Sequence, residues 1–252
     1  MEHSFHFGAL PCFEMKRWVL RSVPFFGSRT CSSSRMRHAL FFLAACASVP
    51  LPVPSAWKSD TIEFSGRRWH VRESSTPVGA GPSRWSANGA RVHAEVLELR
   101  SGEVNDHPNG VELASSVLPW PIDISVALGE LPRMDEYAVI GVFLYENDRC
   151  EVDVEFAQWG DAESAPAQFA ASLEGGLMVR RFSAPRGPFT VRFRWDDESL
   201  QVWLQGEERT RHWRIPTALA ERRPRMRLHL NVWRMPRAPE APEASLEVRG
   251  VW

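Results

Sequence analysis

The stretch Phe189–Gly206, FTVRFRWDDESLQVWLQG, decides the fold class, because apolar and polar residues alternate along it with a period of two. In its first half, Val191, Phe193 and Trp195 fall on one side of an extended chain, and threonine and arginine fall on the other. Such alternation is typical of a half-buried β-strand. The residues Asp196–Ser199 are typical of a turn and alternation resumes after them, so the stretch predicts a β-hairpin.

The same alternation recurs through the chain after Trp57, in RVHAEVLELR, DISVALGEL, AVIGVFLY, RLHLNVW and SLEVRGVW. About a dozen short strands at regular spacing predict an all-β fold, an antiparallel β-sandwich or jelly roll. One short helix is expected in PTALAERR, which has a proline near its start and another after it. The Pro- and Ala-rich stretch RMPRAPEAPEAS is interpreted as a long loop that returns to the sheet, so residues 57–252 are expected to form one domain.

Residues 1–56 differ from the rest of the chain and are interpreted as an N-terminal extension with a signal peptide or lipobox. The segment MRHALFFLAACASVPLPVPSAW has a basic start, a short apolar core and small residues around Cys46, which are the features of a secretory signal. LAAC resembles a bacterial lipobox, so a lipid anchor at Cys46 is one expectation, and cleavage after Ala47 is the other. Met36 is an alternative start. We therefore expect export to the periplasm, the outer membrane or the extracellular space.

The overall composition argues against two other classes of protein. A formal net charge of −1 with interspersed signs gives no electrostatic footprint for nucleic acid. Of the four cysteines, only Cys150 lies in the predicted domain, which excludes an intramolecular disulfide there. Because Cys150 alternates with valines on the apolar side of its segment, a buried and unreactive thiol is expected.

The segment Cys150–Gly160, CEVDVEFAQWG, places three carboxyl groups at alternate positions, on Glu151, Asp153 and Glu155. In a strand these side chains share one face, and Trp159 joins them if the strand continues. The two glutamate Cα atoms would lie roughly 13 Å apart, and inward-leaning carboxyls can approach the roughly 5–5.5 Å of retaining glycosidases. Repulsion between the acids would keep one of them protonated near neutral pH. Two other interpretations stay open, a solvated polar face and a calcium site.

The sequence EVDVEF resembles the E-[ILV]-D-[IV]-E-[FL] strand of the family 16 glycoside hydrolases, a group that includes lichenases and laminarinases on a concanavalin-like jelly roll. VGAGPSRWSANGARVHAEVLELR, AVIGVFLYENDRCEVDVEFAQWGD, FTVRFRWDDESLQVWLQG and MRLHLNVW resemble further segments of a bacterial subgroup, so the likeness covers roughly residues 78–252. LQG departs from the usual Y-x-D-G, and SSVLPWPID replaces the aromatic-glycine pattern before one core strand.

The resemblance implies a role for each acid in a retaining mechanism. Glu151 would be the nucleophile, Asp153 the assisting acid and Glu155 the general acid/base. Asn231 would face the cleft, and the resemblance places Glu112 near a position where the family often carries a glutamate. Trp159 and Trp233, together with Trp85 or Trp120, would stack sugar rings; for Trp233 the sandwich core is the alternative location.

These features predict an exported retaining β-glycan endo-hydrolase or transglycosylase with a polysaccharide or oligosaccharide substrate. The alternatives are a non-catalytic carbohydrate-binding jelly-roll module and a surface structural or interaction module. No cofactor and no catalytic metal are expected. The resemblance allows a structural Ca²⁺, but no ligand spacing in the sequence supports one.

Overall fold

The structure is a computed structural model, and it describes residues 57–76, 84–104, 107–173, 176–216, 223–235 and 243–252. The expected signal peptide, the lipobox at Cys46 and most of the predicted helix in PTALAERR lie outside these ranges, so those expectations stay predictions. The described residues include no helix long and apolar enough to cross a membrane.

The described residues form two β-sheets, and the expected all-β sandwich of jelly-roll type is confirmed. The first sheet has ten strands: β1 Trp57–Phe64, β2 Arg67–Arg72, β3 Arg84–Trp85, β6 Gly102–Val104, β7 His107–Val117, β9 Ala138–Asn147, β10 Cys150–Phe156, β11 Ala167–Leu173, β12 Gly176–Phe182 and β16 Arg227–Arg234. The second sheet has seven: β4 Ala90–His93, β5 Val96–Arg100, β8 Ile122–Leu128, β13 Phe189–Trp195, β14 Ser199–Gly206, β15 Thr210–Pro216 and β17 Ser245–Val251.

The strand order brings distant parts of the chain side by side. The main path of the first sheet runs β1-β2-β7-β16-β9-β10-β11-β12, and β3 and β6 pair with β7. The second sheet runs β15-β14-β13-β8-β17-β5-β4. All of these pairings are antiparallel except that of β3 with β7. The late strand β16 therefore lies two strands from β10, although 70 residues of chain separate them.

The hairpin predicted from Phe189–Gly206 is present as β13 and β14, which pair in register from Phe189 opposite Gly206 to Trp195 opposite Leu200. The apolar side of β13 is buried, with Val191 and Phe193 completely inaccessible to solvent. β17, which follows RMPRAPEAPEAS, pairs with β5 and β8. Most of RMPRAPEAPEAS itself lies outside the described ranges, so its interpretation as a loop stays a prediction.

The hydrophobic core lies between the two sheets. Phe156 of β10 and Phe189 of β13 meet there edge to face, with ring centroids 5.2 Å apart. The apolar residues of β10, Val152, Val154 and Phe156, have no solvent-accessible surface. We call the opposite side of the first sheet its outer face, and every side chain that alternates with these residues points toward it.

Candidate functional site

The three acids of β10 project from the outer face of the first sheet. Asp153 is buried, with 5% of its surface exposed, whereas Glu151 and Glu155 are half-buried. The carboxyls are therefore not fully solvated side chains on an open surface. This placement weakens the interpretation of the acids as a polar face turned to bulk water.

Glu155 is held by a glutamine on the neighbouring strand. Gln168 of β11 lies directly opposite Glu155, and its Nε2 donates a hydrogen bond of 2.6 Å to Glu155 Oε2. Gln168 is 1% exposed, so its side chain has little freedom to move away. A carboxyl fixed in this way has a defined orientation relative to the strand.

Gln168 was not among the residues predicted from the sequence to lie at the site. The signal was present in the segment AQFAASL, where Gln168, Ala170 and Ser172 share one side and Phe169 and Ala171 share the other. The sequence shows which side of the strand Gln168 occupies. It does not show that Gln168 lies opposite Glu155, because that depends on the register between β10 and β11.

On the other side of Glu155, a glycine leaves room for Asn231. Gly141 of β9 pairs with both Glu155 and Asn231. A Cβ atom on Gly141 would lie 2.6 Å from Asn231 Oδ1, which is too close for a real contact. The absence of a side chain at Gly141 thus allows the amide of Asn231 to lie in the same cross-strand row as Glu155. That Asn231 faces a cleft stays a prediction.

Three buried polar atoms of the site have no hydrogen-bond partner among the described residues: Gln168 Oε1, Asn231 Oδ1 and Trp159 Nε1. Buried polar groups in native proteins are nearly always hydrogen-bonded, to protein, to water or to a ligand. Gln168 and Asn231 lie in the cross-strand row of Glu155, and Trp159 lies against Trp233. Two acceptors and one donor so placed form a set suited to a ligand rich in hydroxyl groups.

Asp153 belongs to a second cross-strand row that contains aromatic rings. Phe143 of β9 lies between Asp153 and His229 of β16, with the Phe143 and His229 ring centroids 4.9 Å apart. Tyr145 contacts the same imidazole edge to face at 5.5 Å. His229, Asn231 and Trp233 occupy alternate positions of β16 and therefore share one face.

Glu112 forms a buried ionic network on this face. Its Oε1 lies 2.8 Å from Nδ1 of His229, and its Oε2 accepts a hydrogen bond of 2.5 Å from Nη1 of Arg72. Burial by itself would raise the pKa of Glu112, but the hydrogen bond with His229 and the charge of Arg72 outweigh it, so the pKa lies below its usual value. Glu112 is thus an ionised group already occupied by protein partners.

Tyr145 is the cross-strand neighbour of Glu151. Its hydroxyl donates to Asp148 Oδ1 at 2.9 Å, and burial together with the negative charges of Asp148 and Glu151 raises its pKa strongly. The phenol therefore stays neutral over the physiological pH range and can act as a hydrogen-bonding group.

The expected sugar-stacking tryptophans have different environments. Trp85 and Trp233 are each 2% exposed and pack with Val139 and Ala157, so neither presents a free ring face to a ligand. Leu230 and Val232 of β16 face the core between the sheets, so Trp233 lies on the outer face and is buried in a cluster separate from the sandwich core. β10 ends at Phe156, so the strand does not carry Trp159 onto the acid face; Trp159 instead takes a left-handed conformation with φ of 58°.

Trp159 nevertheless lies in the neighbourhood of the site. Its ring meets that of Trp233 edge to face with centroids 6.1 Å apart, and it is only partly buried. Of the four tryptophans predicted to stack on sugar rings, Trp159 is the one that lies near the acids and is also partly exposed to solvent.

Trp120 belongs to another part of the molecule. Its Nε1 donates to Asp197 Oδ1 at 3.2 Å, and its ring packs against Trp195 of the second sheet, with centroids 6.3 Å apart. It lies outside the cross-strand rows that contain the acids. A β-sandwich brings the start of β8 next to the end of β13, and this pairing determines the position of Trp120.

The thiol of Cys150, expected to be buried, is half-buried against the core, and its sulfur lies 3.9 Å from that of Met226. In the ranges that the structure describes, no group of three or more His, Cys, Asp or Glu side chains could hold a metal ion.

Comparison with solved structures defines the class of fold. No protein-family model matches the chain, and no curated protein matches it. Many solved structures do, among them a Bacillus licheniformis β-glucanase at 15% identity and a TM-score of 0.58, covering 73% of this chain and 90% of that chain. A family 16 endo-glucanase from Bacteroides ovatus, in complex with G4G3G-2F-DNP, matches at 11% identity and 0.57, over 73% and 93% of the two chains.

A third structure carries a different description. It is an immunostimulatory antigen and pseudo β-1,3-glucanase of Mycobacterium tuberculosis, matched at 13% identity with a TM-score of 0.60, over 73% of this chain and 89% of that chain. The chain thus has the jelly-roll fold of the family 16 glycoside hydrolases, in agreement with the resemblance of EVDVEF. Identities this low establish the fold alone.

Proposed function

We propose that this protein is a retaining β-glycan endo-hydrolase or transglycosylase, with its active site on the outer face of the first sheet. The observation that carries this proposal is the position of Gln168 and Asn231 in the cross-strand row of Glu155, each with a buried oxygen that has no hydrogen-bond partner among the described residues. A hydroxyl-rich substrate would satisfy those atoms and would lie against the carboxyls at the same time.

In the first step, a carboxylate oxygen of Glu151 forms a bond to the anomeric carbon as the bond to the leaving sugar oxygen breaks. Glu155 gives its proton to that oxygen, so the departing sugar leaves as a neutral alcohol. Gln168 orients the Glu155 carboxyl for this transfer through its 2.6 Å hydrogen bond.

In the second step, Glu155 removes a proton from water, or from a sugar hydroxyl in transglycosylation. The oxygen so activated attacks the anomeric carbon and releases Glu151. Asp153, buried between the two glutamates, would assist by keeping the proton on the correct carboxyl, since adjacent acids cannot all ionise without cost. Two inversions give net retention of configuration.

The neighbourhood of the acids supports sugar recognition. Asn231 would hydrogen-bond a sugar hydroxyl or the nucleophile, and the partly exposed ring of Trp159 would stack on an apolar sugar face, while its Nε1–H would donate to a hydroxyl. Glu112, held by Arg72 and His229, is assigned a supporting role rather than a direct one.

We also propose that the protein is exported and is either anchored by a lipid at Cys46 or released after Ala47. Metabolic labelling with a palmitate analogue tests this. Label on the wild-type chain that disappears in Cys46→Ser supports the anchor, and a soluble mature chain beginning after Ala47 supports release. Retention of the unprocessed chain in the cytoplasm contradicts both.

A non-catalytic carbohydrate-binding module is the second candidate. Such a module would use the same carboxyls and polar atoms to bind a glycan without turnover. One of the matched structures is itself described as a pseudo β-1,3-glucanase.

Turnover on mixed-linkage, β-1,3-glucan and galactan substrates separates the two candidates. For the enzyme we expect reducing-end release by the wild-type chain, loss of turnover in Glu151→Gln, and a kcat lower by about 10²–10⁴-fold in Glu155→Gln. Glu198→Gln, at an exposed turn of the second sheet, is the matched control and should turn over normally.

The stereochemistry of the product tests the mechanism separately. Anomeric proton NMR should show the retained anomer first. Early accumulation of the inverted anomer contradicts double displacement. Saturable binding to a glycan without any turnover would favour the binding module, and the absence of both would favour a structural or interaction module.

A further inference from the structure

The proposed nucleophile Glu151 has a hydroxyl-bearing neighbour on each adjacent strand. Tyr145 of β9 pairs with Glu151 on one side, and Ser172 of β11 pairs with it on the other. Residues directly opposite one another on neighbouring strands point to the same face, so both hydroxyl side chains lie on the outer face with the carboxyl. All three residues are half-buried, so each keeps some surface that a ligand can reach.

A β-bulge decides which residue of β9 lies beside Glu151. The register of the β9–β10 pair shifts between Cys150 and Glu151, and one extra residue, Glu146, is accommodated in β9. In an unbroken register Glu146 would lie directly opposite Glu151, where like charges repel. Oε1 of Glu146 instead accepts a hydrogen bond of 3.3 Å from the backbone N–H of Arg225. The bulge thus places the neutral phenol of Tyr145, rather than a second carboxylate, next to Glu151.

Asp148, in the turn between β9 and β10, holds both hydroxyl groups. Its Oδ1 accepts a hydrogen bond of 2.9 Å from the Tyr145 hydroxyl, and its backbone carbonyl oxygen accepts one of 3.1 Å from Ser172 Oγ. A hydroxyl group has one proton and two acceptor lone pairs. Because the proton of each hydroxyl is donated to Asp148, each oxygen can offer only its lone pairs to a ligand.

The phenol oxygen of Tyr145 is fixed and uncharged. Among the residues that the structure describes, Asp148 is its one hydrogen-bond partner, and the ring contacts the His229 imidazole edge to face at 5.5 Å. Burial raises the pKa of Tyr145, and the negative charges of Asp148 and Glu151 raise it further, so the phenol keeps its proton. An acceptor oxygen in a defined position therefore lies within the electrostatic field of the proposed nucleophile.

We infer that Tyr145 is a further substrate-binding residue, whose phenol oxygen accepts a hydrogen bond from a hydroxyl of the sugar unit that lies against Glu151. The inference rests on the proposed function, because it adds a contact to the same site. A phenol whose proton is held by Asp148 can accept from a sugar hydroxyl without changing its own hydrogen bond. The contact selects glycans that carry the hydroxyl in question. Asp148 is then a positioning residue, since it acts on the glycan through Tyr145.

Calorimetry on the full chain carrying Glu151→Gln tests the contact without interference from turnover. The ligands are tetrasaccharides prepared from laminarin, from mixed-linkage glucan and from galactan. Tyr145→Phe removes the phenol oxygen and keeps the ring that contacts His229. We expect the affinity for at least one tetrasaccharide to fall about three- to tenfold, which is the loss typical of one hydrogen bond.

Tyr137→Phe is the matched control, since Tyr137 is the one other tyrosine of the chain. Tyr137 lies just before the start of β9, whereas Tyr145 lies near the end of that strand. The control substitution should leave the affinity for every tetrasaccharide unchanged. No loss of affinity in Tyr145→Phe, or equal losses in Tyr145→Phe and Tyr137→Phe, overturns the inference.

Deoxy analogues distinguish a direct contact from a change in the shape of the site. The tetrasaccharide that binds is compared with versions in which one hydroxyl of one sugar unit is replaced by hydrogen. Removal of the hydroxyl that Tyr145 contacts should weaken binding to the chain that keeps Tyr145 and should have no further effect in Tyr145→Phe. Additive losses at every position contradict a direct hydrogen bond.

Asp148→Ala tests the positioning role, and it takes the place of Tyr145→Phe if that chain does not fold. Without the carboxylate the phenol loses its fixed orientation, so the affinity for the tetrasaccharide should fall. Asp148→Asn keeps an acceptor oxygen for the phenol proton and should bind as tightly as the chain with Asp148. Unchanged affinity in Asp148→Ala contradicts the positioning role.

Turnover separates this inference from the proposed function. Hydrolysis of a glycan by the wild-type chain, with the same affinity and kcat/KM in Tyr145→Phe, retains the function and refutes the contact. Binding that weakens in Tyr145→Phe, with no hydrolysis of any glycan, supports the contact and refutes the enzyme. The absence of both binding and turnover refutes both.

Discussion

At the scale of single residues, the site depends on carboxyls whose orientation is set by neighbours. Glu155 is the clearest case, because Gln168 is buried and donates to it at 2.6 Å. A reacting group displaced by about 1 Å can lose about 10²-fold in rate. The contact is therefore expected to matter for catalysis although Gln168 carries no charge.

Gln168→Met tests this contact, because methionine fills a similar volume and lacks the amide donor. If the protein is an enzyme, we expect kcat to fall about ten- to a hundredfold with a smaller change in KM, since the loss affects positioning of the acid. Gln201→Met, on the second sheet, is the matched control. Unchanged kcat in a folded Gln168→Met chain would show that Glu155 does not need this donor.

Also at the residue scale, the buried carboxylate of Glu112 makes stability depend on pH. Because its pKa in the folded chain lies below the usual value of 4.5, ionised Glu112 favours the folded state. This contribution is fully present above pH 4.5 and is lost as the pH falls through the lowered pKa. Urea unfolding of the wild-type chain should therefore show lower stability at pH 3.5 than at pH 6.

Glu112→Gln isolates that effect. At pH 6 the variant should lose about 3–5 kcal/mol, since Arg72 would be left as a buried charge without its carboxylate, and its stability should vary less between pH 6 and pH 3.5. Glu63→Gln removes the exposed pair with Arg68 and should cost at most about 1 kcal/mol. Equal costs for the two substitutions would mean that burial does not strengthen the Glu112 network.

At the scale of strands, the site is built from cross-strand rows rather than from one segment. Gln168, Glu155, Gly141 and Asn231 come from four adjacent strands and lie in one row. Gly141 is the position where that row requires the absence of a side chain, because a Cβ atom there would meet Asn231 Oδ1 at 2.6 Å.

Gly141→Ala should displace the amide of Asn231 and lower both ligand affinity and turnover. We expect a cost in stability of about 1–3 kcal/mol from the overpacked contact, measured by urea unfolding. Gly206→Ala is the matched control, since a Cβ atom there would make only ordinary contacts of 3.6 Å or more. Full binding and stability in Gly141→Ala would show that Asn231 can move without loss.

At the scale of the whole molecule, the core between the two sheets supports the site from behind. Phe156 follows Glu155 directly and packs against Phe189 of the opposite sheet. The acids and the side chains that join the two sheets thus alternate on the same strand.

Phe156→Ala should destabilise the fold by about 3–5 kcal/mol, because it leaves a cavity between the sheets. Far-UV circular dichroism and tryptophan fluorescence should report one coincident transition in urea, shifted to lower denaturant. Leu177→Ala, at an exposed apolar residue, should stay within about 0.5 kcal/mol of the wild-type chain. Separate transitions for the two probes would show that the sheets unfold independently.

The period-two alternation in the sequence determined the fold class and the face to which each acid points. It placed Val152, Val154 and Phe156 in the core and Glu151, Asp153 and Glu155 outside it, because the direction of a side chain in a strand depends only on its position along that strand. Strands of two or three residues, such as β3 and β6, are too short to show such a pattern, and RVHAEVLELR contains most of one strand, β4, and all of a second, β5. The predicted dozen strands therefore fell short of those present in the described ranges.

Only the tertiary structure decided which residues meet. Gln168 opposite Glu155, Arg72 and His229 on Glu112, and the burial of Trp85 and Trp233 all follow from strand order and register. Trp120 lies with Asp197, far along the sequence, for the same reason. Strand register and strand order depend on contacts between segments that are distant in the chain, whereas the alternation of apolar and polar residues is local. The alternation therefore identified the face of each residue but not its cross-strand partner.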